Sequence, residues 1–186
     1  MTDISDIVER INQLLSRKET VVIAIDGPCG SGKTTLANEL HSKLGGNVFR
    51  VDDFFLRPSQ RTEERLMEIG GNFDRERLLS EVIEPLKNGE TVKYRPYVCY
   101  KGGFDDVTYV NPERINIVEG SYSMHPALGN YADIKIFVSV PPDEQILRLK
   151  KRDPAFIDRF INEWIPKEMA YFEAFDVKKH SDIIVE

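Results

Sequence analysis

Gly27-Pro28-Cys29-Gly30-Ser31-Gly32-Lys33-Thr34 is the stretch on which the fold turns. It satisfies the pattern G-x-x-x-x-G-K-[ST] at every fixed position. Thr20-Val21-Val22-Ile23-Ala24-Ile25 precedes it as a continuous apolar run. Such runs mark strands buried on both faces of a parallel sheet. A helical pattern follows over residues 33–44, so the loop joins a buried strand to a helix. Glycines let the backbone take positive φ and wrap an anion closely. Successive N–H groups and the positive helix end then cradle a phosphate. Lys33 is placed to reach the outer phosphates of a nucleotide, and the Thr34 hydroxyl to meet Mg²⁺. Thr35 continues the helix and completes the candidate nucleotide-binding set. Cys29 occupies a variable position with no adjacent base, so it reads as an inert small side chain.

Outward from the loop, strand and helix patterns alternate. Further apolar strand runs cover residues 47–51, 115–118 and 134–140, with a weaker one at 181–185. Helical patterns cover 3–17, 74–86 and 142–151, and a long final stretch covers 154–175. This alternation predicts an α/β fold, a doubly wound parallel sheet of about five strands with helices on both faces. Residues 91–110, with their aromatics and Gly102-Gly103, break the rhythm and read as an excursion from the sheet. Trp164, with Phe160, Tyr171, Phe172 and Phe175, reads as the face that packs the last helix on the sheet. The amphipathic helix before Thr20 reads as structural or as a dimer surface, which leaves a homo-oligomer open.

With 186 residues, the chain suits a single domain over 1–186. Residues 1–19 form its N-terminal helix, and about 142–175 its lid and closing helix. The formal charge of −6 argues against nucleic acid as a partner, because phosphate-backbone affinity needs clustered basic residues. No apolar run approaches the ~20 residues needed to cross a bilayer, so no membrane partner is expected. The first twenty residues carry Asp3, Asp6 and Glu9, with no basic start and no apolar centre, so a cytoplasmic protein is expected. Cys29 and Cys99 show no metal-ligand spacing and read as reduced thiols.

Two acidic positions follow strand runs. Val51-Asp52-Asp53-Phe54-Phe55 ends the second. Ligands of open α/β sheets bind beyond the carboxyl ends of the strands. A carboxylate there can take the proton of an acceptor hydroxyl. Neighbours on an extended segment point to opposite sides, so one of Asp52 and Asp53 would face the nucleotide. Capping of the turn is the competing role. Ile115 to Gly120 carries Glu119 where such folds hold Mg²⁺; pairing with a basic side chain is its alternative. An Asn-Lys-x-Asp guanine motif and a Leu-Ser-Gly-Gly transporter signature are both missing. The chain is also short for a motor, so the residues favour a small kinase using ATP and Mg²⁺. A nucleotide-binding regulator is the alternative from another class.

The phosphate loop, Asp52-Asp53-Phe54-Phe55, Asn72-Phe73-Asp74 and Val118-Glu119-Gly120 occur in an order that resembles the uridine kinase family of P-loop kinases. Its relatives include the nicotinamide riboside, pantothenate and phosphoribulo-kinases. The resemblance implies an ATP-dependent transfer to a hydroxyl of a small molecule, most readily a nucleoside. It implies Asp52 as general base, Asp74 on sugar hydroxyls, Tyr97 packed on the substrate, and Glu119 beside Mg²⁺. It also implies a mobile lid whose arginines reach the phosphates. Arg148, Arg152 and Arg159 lie in the matching region, with Arg152 assigned to catalysis and the other two to substrate. Members that act on pyrimidine nucleosides have a His a few residues after the Tyr97 position. Here Val98-Cys99-Tyr100-Lys101-Gly102-Gly103 has none, which keeps pantothenate or a sugar derivative in view. Ser121 to Pro126 reads as pocket lining or as a plain strand-to-helix turn.

Overall fold

A computed structural model describes residues 3–186. Its centre is a sheet of five parallel strands: β1 (Val21–Asp26), β2 (Asn47–Arg50), β7 (Ile115–Glu119), β8 (Ile134–Val138) and β9 (Ile183–Val185), in spatial order β2-β7-β1-β8-β9. The four short strands between β2 and β7 belong elsewhere. β1 shows why the runs are continuously apolar. Val21, Ile23 and Ile25 join the core beneath α1 (Ile4–Leu15) and α2 (Lys33–Leu44). Val22 and Ala24 join the opposite core, which Phe49, Leu78, Val82, Tyr171 and Phe172 help to build. A strand covered on both faces has no polar face to alternate with.

Between β2 and β7 the chain leaves the sheet. It forms α3 (Glu63–Met67), α4 (Arg75–Leu78) and α5 (Glu84–Asn88), and then an arm. In the arm, β3 (Val92–Tyr94) pairs with β6 (Thr108–Val110), and β4 (Tyr97–Val98) pairs with β5 (Gly103–Phe104), both antiparallel. This is the expected excursion of residues 91–110. After β8 come α6 (Pro142–Arg152), α7 (Ile157–Arg159) and α8 (Ile165–Ala174).

Three expectations need correction. The second strand stops at Arg50, and Val51–Phe54 is a 3-10 turn. Asp52 and Asp53 therefore do not alternate across an extended segment. They are successive residues of a tight turn, one exposed and one half-buried. The helices expected over 74–86 and 154–175 are interrupted by π turns at Leu79–Ile83 and Phe160–Trp164. Each π turn runs into a proline within two residues, Pro85 or Pro166. Proline has no N–H for the carbonyl four residues back and clashes with it. A widened turn relieves the clash. Lastly, Trp164 packs on Phe156 and Phe160 of its own segment, at ring separations of 6.3 and 4.6 Å, rather than on the sheet.

Candidate active site

The carboxyl ends of β1, β2 and β7 meet at the phosphate loop. Gly27, Gly30 and Gly32 have φ of 142, 77 and 110°. At Gly27 a Cβ would stand 2.2 Å from the Val138 carbonyl oxygen, so glycine is demanded twice there. Lys33 Nζ is folded onto its own loop, donating to the carbonyls of Gly27 (2.8 Å) and Pro28 (2.9 Å). The Thr34 hydroxyl donates towards Glu119, with its oxygens at 3.2 and 3.3 Å. Glu119 also faces Arg50 Nε at 3.7 Å. Burial, with the Asp52 charge nearby, raises the Glu119 carboxyl above its ordinary range. Burial raises Asp53 as well.

Three residues that hold the loop, Asp26, Glu168 and Gln145, escaped the sequence reading. Asp26 ends β1 wholly buried. One carboxylate oxygen accepts from the N–H groups of Gly27 (2.7 Å) and Tyr122 (3.2 Å). The other accepts from the Met124 N–H (2.9 Å) and the Tyr171 hydroxyl (2.8 Å). Burial nevertheless outweighs these donors and lifts its pKa to about 6. Glu168 of α8 accepts from the Cys29 N–H (2.8 Å) and the Ser121 hydroxyl (2.7 Å). Gln145 of α6 donates to the Cys29 carbonyl at 2.8 Å. The signals were present: an acid closing an otherwise apolar strand, and a Glu on the buried face of a helix between Trp164 and Tyr171. Cys29 itself behaves as expected, since burial pushes its thiol well above the usual range.

The residues expected to meet the acceptor lie around the Val51–Phe54 turn. Asp74 caps α4 and is fully buried. Its carboxylate accepts from the Arg77 N–H (3.2 Å) and the Gln60 amide (2.9 Å), and its own N–H donates to the Phe54 carbonyl (2.7 Å). Tyr97 is buried in the arm, edge-on to Phe104 at 5.7 Å. Burial raises the Cys99 thiol at the arm's tip above its ordinary range. The three arginines expected in a lid separate. Arg148 donates to the Ser31 (2.9 Å) and Gly30 (3.3 Å) carbonyls of the loop. Arg152 is occupied with Asp153 (2.6 Å) and Phe160. Arg159 pairs with Glu163 (3.3 Å) over the Trp164 ring (4.7 Å).

A five-stranded parallel sheet with a phosphate loop between β1 and α2, and a strand-end acid against its Thr, defines a P-loop nucleotide-binding protein. Two solved structures share the fold. One, described as a possible uridine kinase from Bacillus stearothermophilus, superposes with TM-score 0.71 at 21% identity, over 97% of this chain and 100% of that one. The other, shikimate kinase from Bacteroides thetaiotaomicron, gives 0.50 at 20% identity, over 88% and 85%. The chain belongs to the Phosphoribulokinase / Uridine kinase family, whose pattern residues 22–159 match. It is 31% identical to the uridine kinase of Staphylococcus aureus strain JH9, over 90% of this chain and 88% of that protein. It is an ATP-dependent small-molecule kinase.

Proposed function

We propose that the protein moves the γ-phosphoryl group of Mg·ATP to a hydroxyl of a nucleoside-like metabolite, with Asp52 as the base. The observation that carries this reading is the convergence of Lys33, Thr34, Glu119 and the Asp52 charge at one sheet edge. The uridine kinase relative supports the nucleoside. Residues 27–35 hold the nucleotide. The acceptor oxygen bonds to the γ-phosphorus as its proton passes to Asp52, and the bond from that phosphorus to the leaving ADP oxygen breaks. Lys33 leaves its loop carbonyls for the phosphates. Arg148, Arg152 and Arg159 supply positive charge from the lid, and Asp74 and Tyr97 hold the acceptor. Gln60 now occupies the place on Asp74 that a substrate hydroxyl would take.

Thr34 and Glu119 fit Mg²⁺. Both offer hard oxygen ligands, and a carboxyl raised by burial, with a like charge beside it, is relieved by a cation. Among the described residues no group of three or more His, Cys, Asp or Glu forms a complete cage, so phosphates and water would supply the remaining ligands. When bound, Mg²⁺ offsets the charge of the phosphate oxygens. A second reading, a non-nucleoside acceptor, is favoured by the arm's tip, where Val98 to Gly103 offers no His to a pyrimidine.

The test is ADP release from Mg·ATP with uridine, cytidine, nicotinamide riboside, pantothenate and a set of sugars. Stimulation by a nucleoside is expected. Stimulation only by pantothenate or a sugar would select the second reading. Lys33→Ala should nearly abolish turnover in a folded protein, and undiminished transfer would overturn the role of the loop.

A further inference from the structure

Lys33 rests on two carbonyls, and the two are not equivalent. The Pro28 carbonyl, 2.9 Å from Lys33 Nζ, keeps a second donor, the Ser31 N–H at 3.1 Å. The Gly27 carbonyl has Lys33 Nζ at 2.8 Å and, among the described residues, one other donor in reach, the Ser121 hydroxyl at 3.0 Å. A hydroxyl carries a single proton. Glu168 Oε1 lies closer to it, at 2.7 Å, and a carboxylate is the stronger acceptor. Glu168 therefore draws the hydrogen bond, and Lys33 is left as the only donor to Gly27.

Glu168 acts on the Pro28 carbonyl as well. Its Oε2 accepts from the Cys29 N–H at 2.8 Å. That N–H and the Pro28 carbonyl belong to one planar peptide unit, so holding one end aims the other at Lys33. Glu163, earlier in the same segment, pairs with Arg159 and Lys167. Glu168 is 6% exposed, and among the described residues no basic side chain pairs with it. A buried carboxylate without a cation is costly. Beside a loop that receives phosphates, its charge also opposes the ligand. Both of its contacts lead to the carbonyls that hold Lys33.

We propose that Glu168 is a positioning residue that parks Lys33 in the nucleotide-free enzyme, with the Ser121 hydroxyl as the group through which it does so. This rests on the reading in which Lys33 moves to the phosphates, and it adds what holds the ammonium back. Mg·ATP must draw Lys33 away from a carbonyl that no other donor covers.

The variant Glu168→Gln tests this in the full chain. The Cys29 N–H can face only the amide oxygen, so the amide N–H groups point at Ser121. The Ser121 oxygen then accepts, and its proton turns to the Gly27 carbonyl. Every group stays satisfied, so the variant should fold, while Lys33 ceases to be the sole donor to Gly27. Calorimetry should show the β,γ-imido analogue of Mg·ATP binding ~3–10-fold more tightly than to the wild type, and the KM for ATP should fall. Adding Ser121→Ala to this variant should abolish the gain, because no hydroxyl remains for Gly27. Unchanged or weaker binding in Glu168→Gln would overturn the proposal. A gain that survives Ser121→Ala in full would mean that the lost charge alone matters, and would overturn it equally. A second measurement needs no nucleotide. The ammonium protons of Lys33, identified in nitrogen-15 NMR by their absence from Lys33→Ala, should exchange with water faster in Glu168→Gln than in the wild type. Equal exchange would overturn the parking of Lys33. Faster exchange in a protein that releases no ADP with any acceptor would instead overturn the proposed reaction and leave the parking standing.

Discussion

Asp52 and Asp53 are adjacent, yet their surroundings differ. Asp52 is exposed at the turn, whereas Asp53 is half-buried and its carboxyl is raised by burial. If Asp52 takes the acceptor proton, Asp52→Asn should lower kcat by ~10²–10⁴ and leave ATP binding nearly intact. Measured kcat for both single variants decides the assignment, and equal damage from Asp53→Asn alone would reverse it. Asp26 offers a different test. Between its ordinary value of 3.8 and about 6, the folded protein keeps a proton that the unfolded chain has released. Stability should therefore fall as pH rises from about 4 to about 6, by about 3 kcal/mol relative to Asp26→Asn. Denaturant unfolding at several pH values would show the decline, and parallel profiles would refute it. The placing of the loop between strand and helix, and of Glu119 at a strand end, was legible because it depends on local spacing. The contacts of Asp26 and Glu168 were not, although their burial left a trace in the pattern. Their partners Tyr171, Cys29 and Ser121 lie 145, 139 and 47 residues away, and no local pattern encodes such contacts.

Helix periodicity located the elements and missed their interruptions. A π turn adds one residue, so everything before it rotates by about 100° relative to a regular helix. The turn at Phe160–Trp164 thus sets the direction in which α7 presents Arg159. Pro166→Ala restores the missing N–H and removes the reason for the widened turn. We expect this variant to gain helix stability and to lose kcat through misdirected lid arginines, with little change in the folded sheet. Circular dichroism and steady-state kinetics would reveal the pair of effects. An unchanged kcat would mean that the aim of Arg159 does not matter. The second strand shows the same limit from the other side. Its apolar run reads through Val51, but the backbone turns at Arg50 because Val51 and Phe54 find their burial within the turn.

Across the molecule, the sheet order was open to inference only as a class. Strand–helix alternation implies a parallel sheet, while the order β2-β7-β1-β8-β9 depends on long-range pairing. The arm was less legible still, because its short antiparallel strands carry little periodicity. The proposed lid has a natural reporter. Trp164 is the chain's one tryptophan, with Arg159 4.7 Å over its ring. When Mg·ATP draws the lid arginines to the phosphates, that contact should break and the emission of Trp164 should change. Acceptor alone should leave it unaltered. Emission indifferent to Mg·ATP would mean that Arg159 stays on the indole throughout turnover.

The arm has a consequence for how such an enzyme diversifies. Its first and last strands pair with each other, Val92 opposite Val110, so the segment leaves and re-enters the body at one place. It is a self-closed cassette. Mutation can rebuild its tip, or exchange the whole of it, while the phosphate loop and the five-stranded sheet keep their geometry. If the arm holds the acceptor, as proposed, selection can change what is phosphorylated without relearning how to phosphorylate.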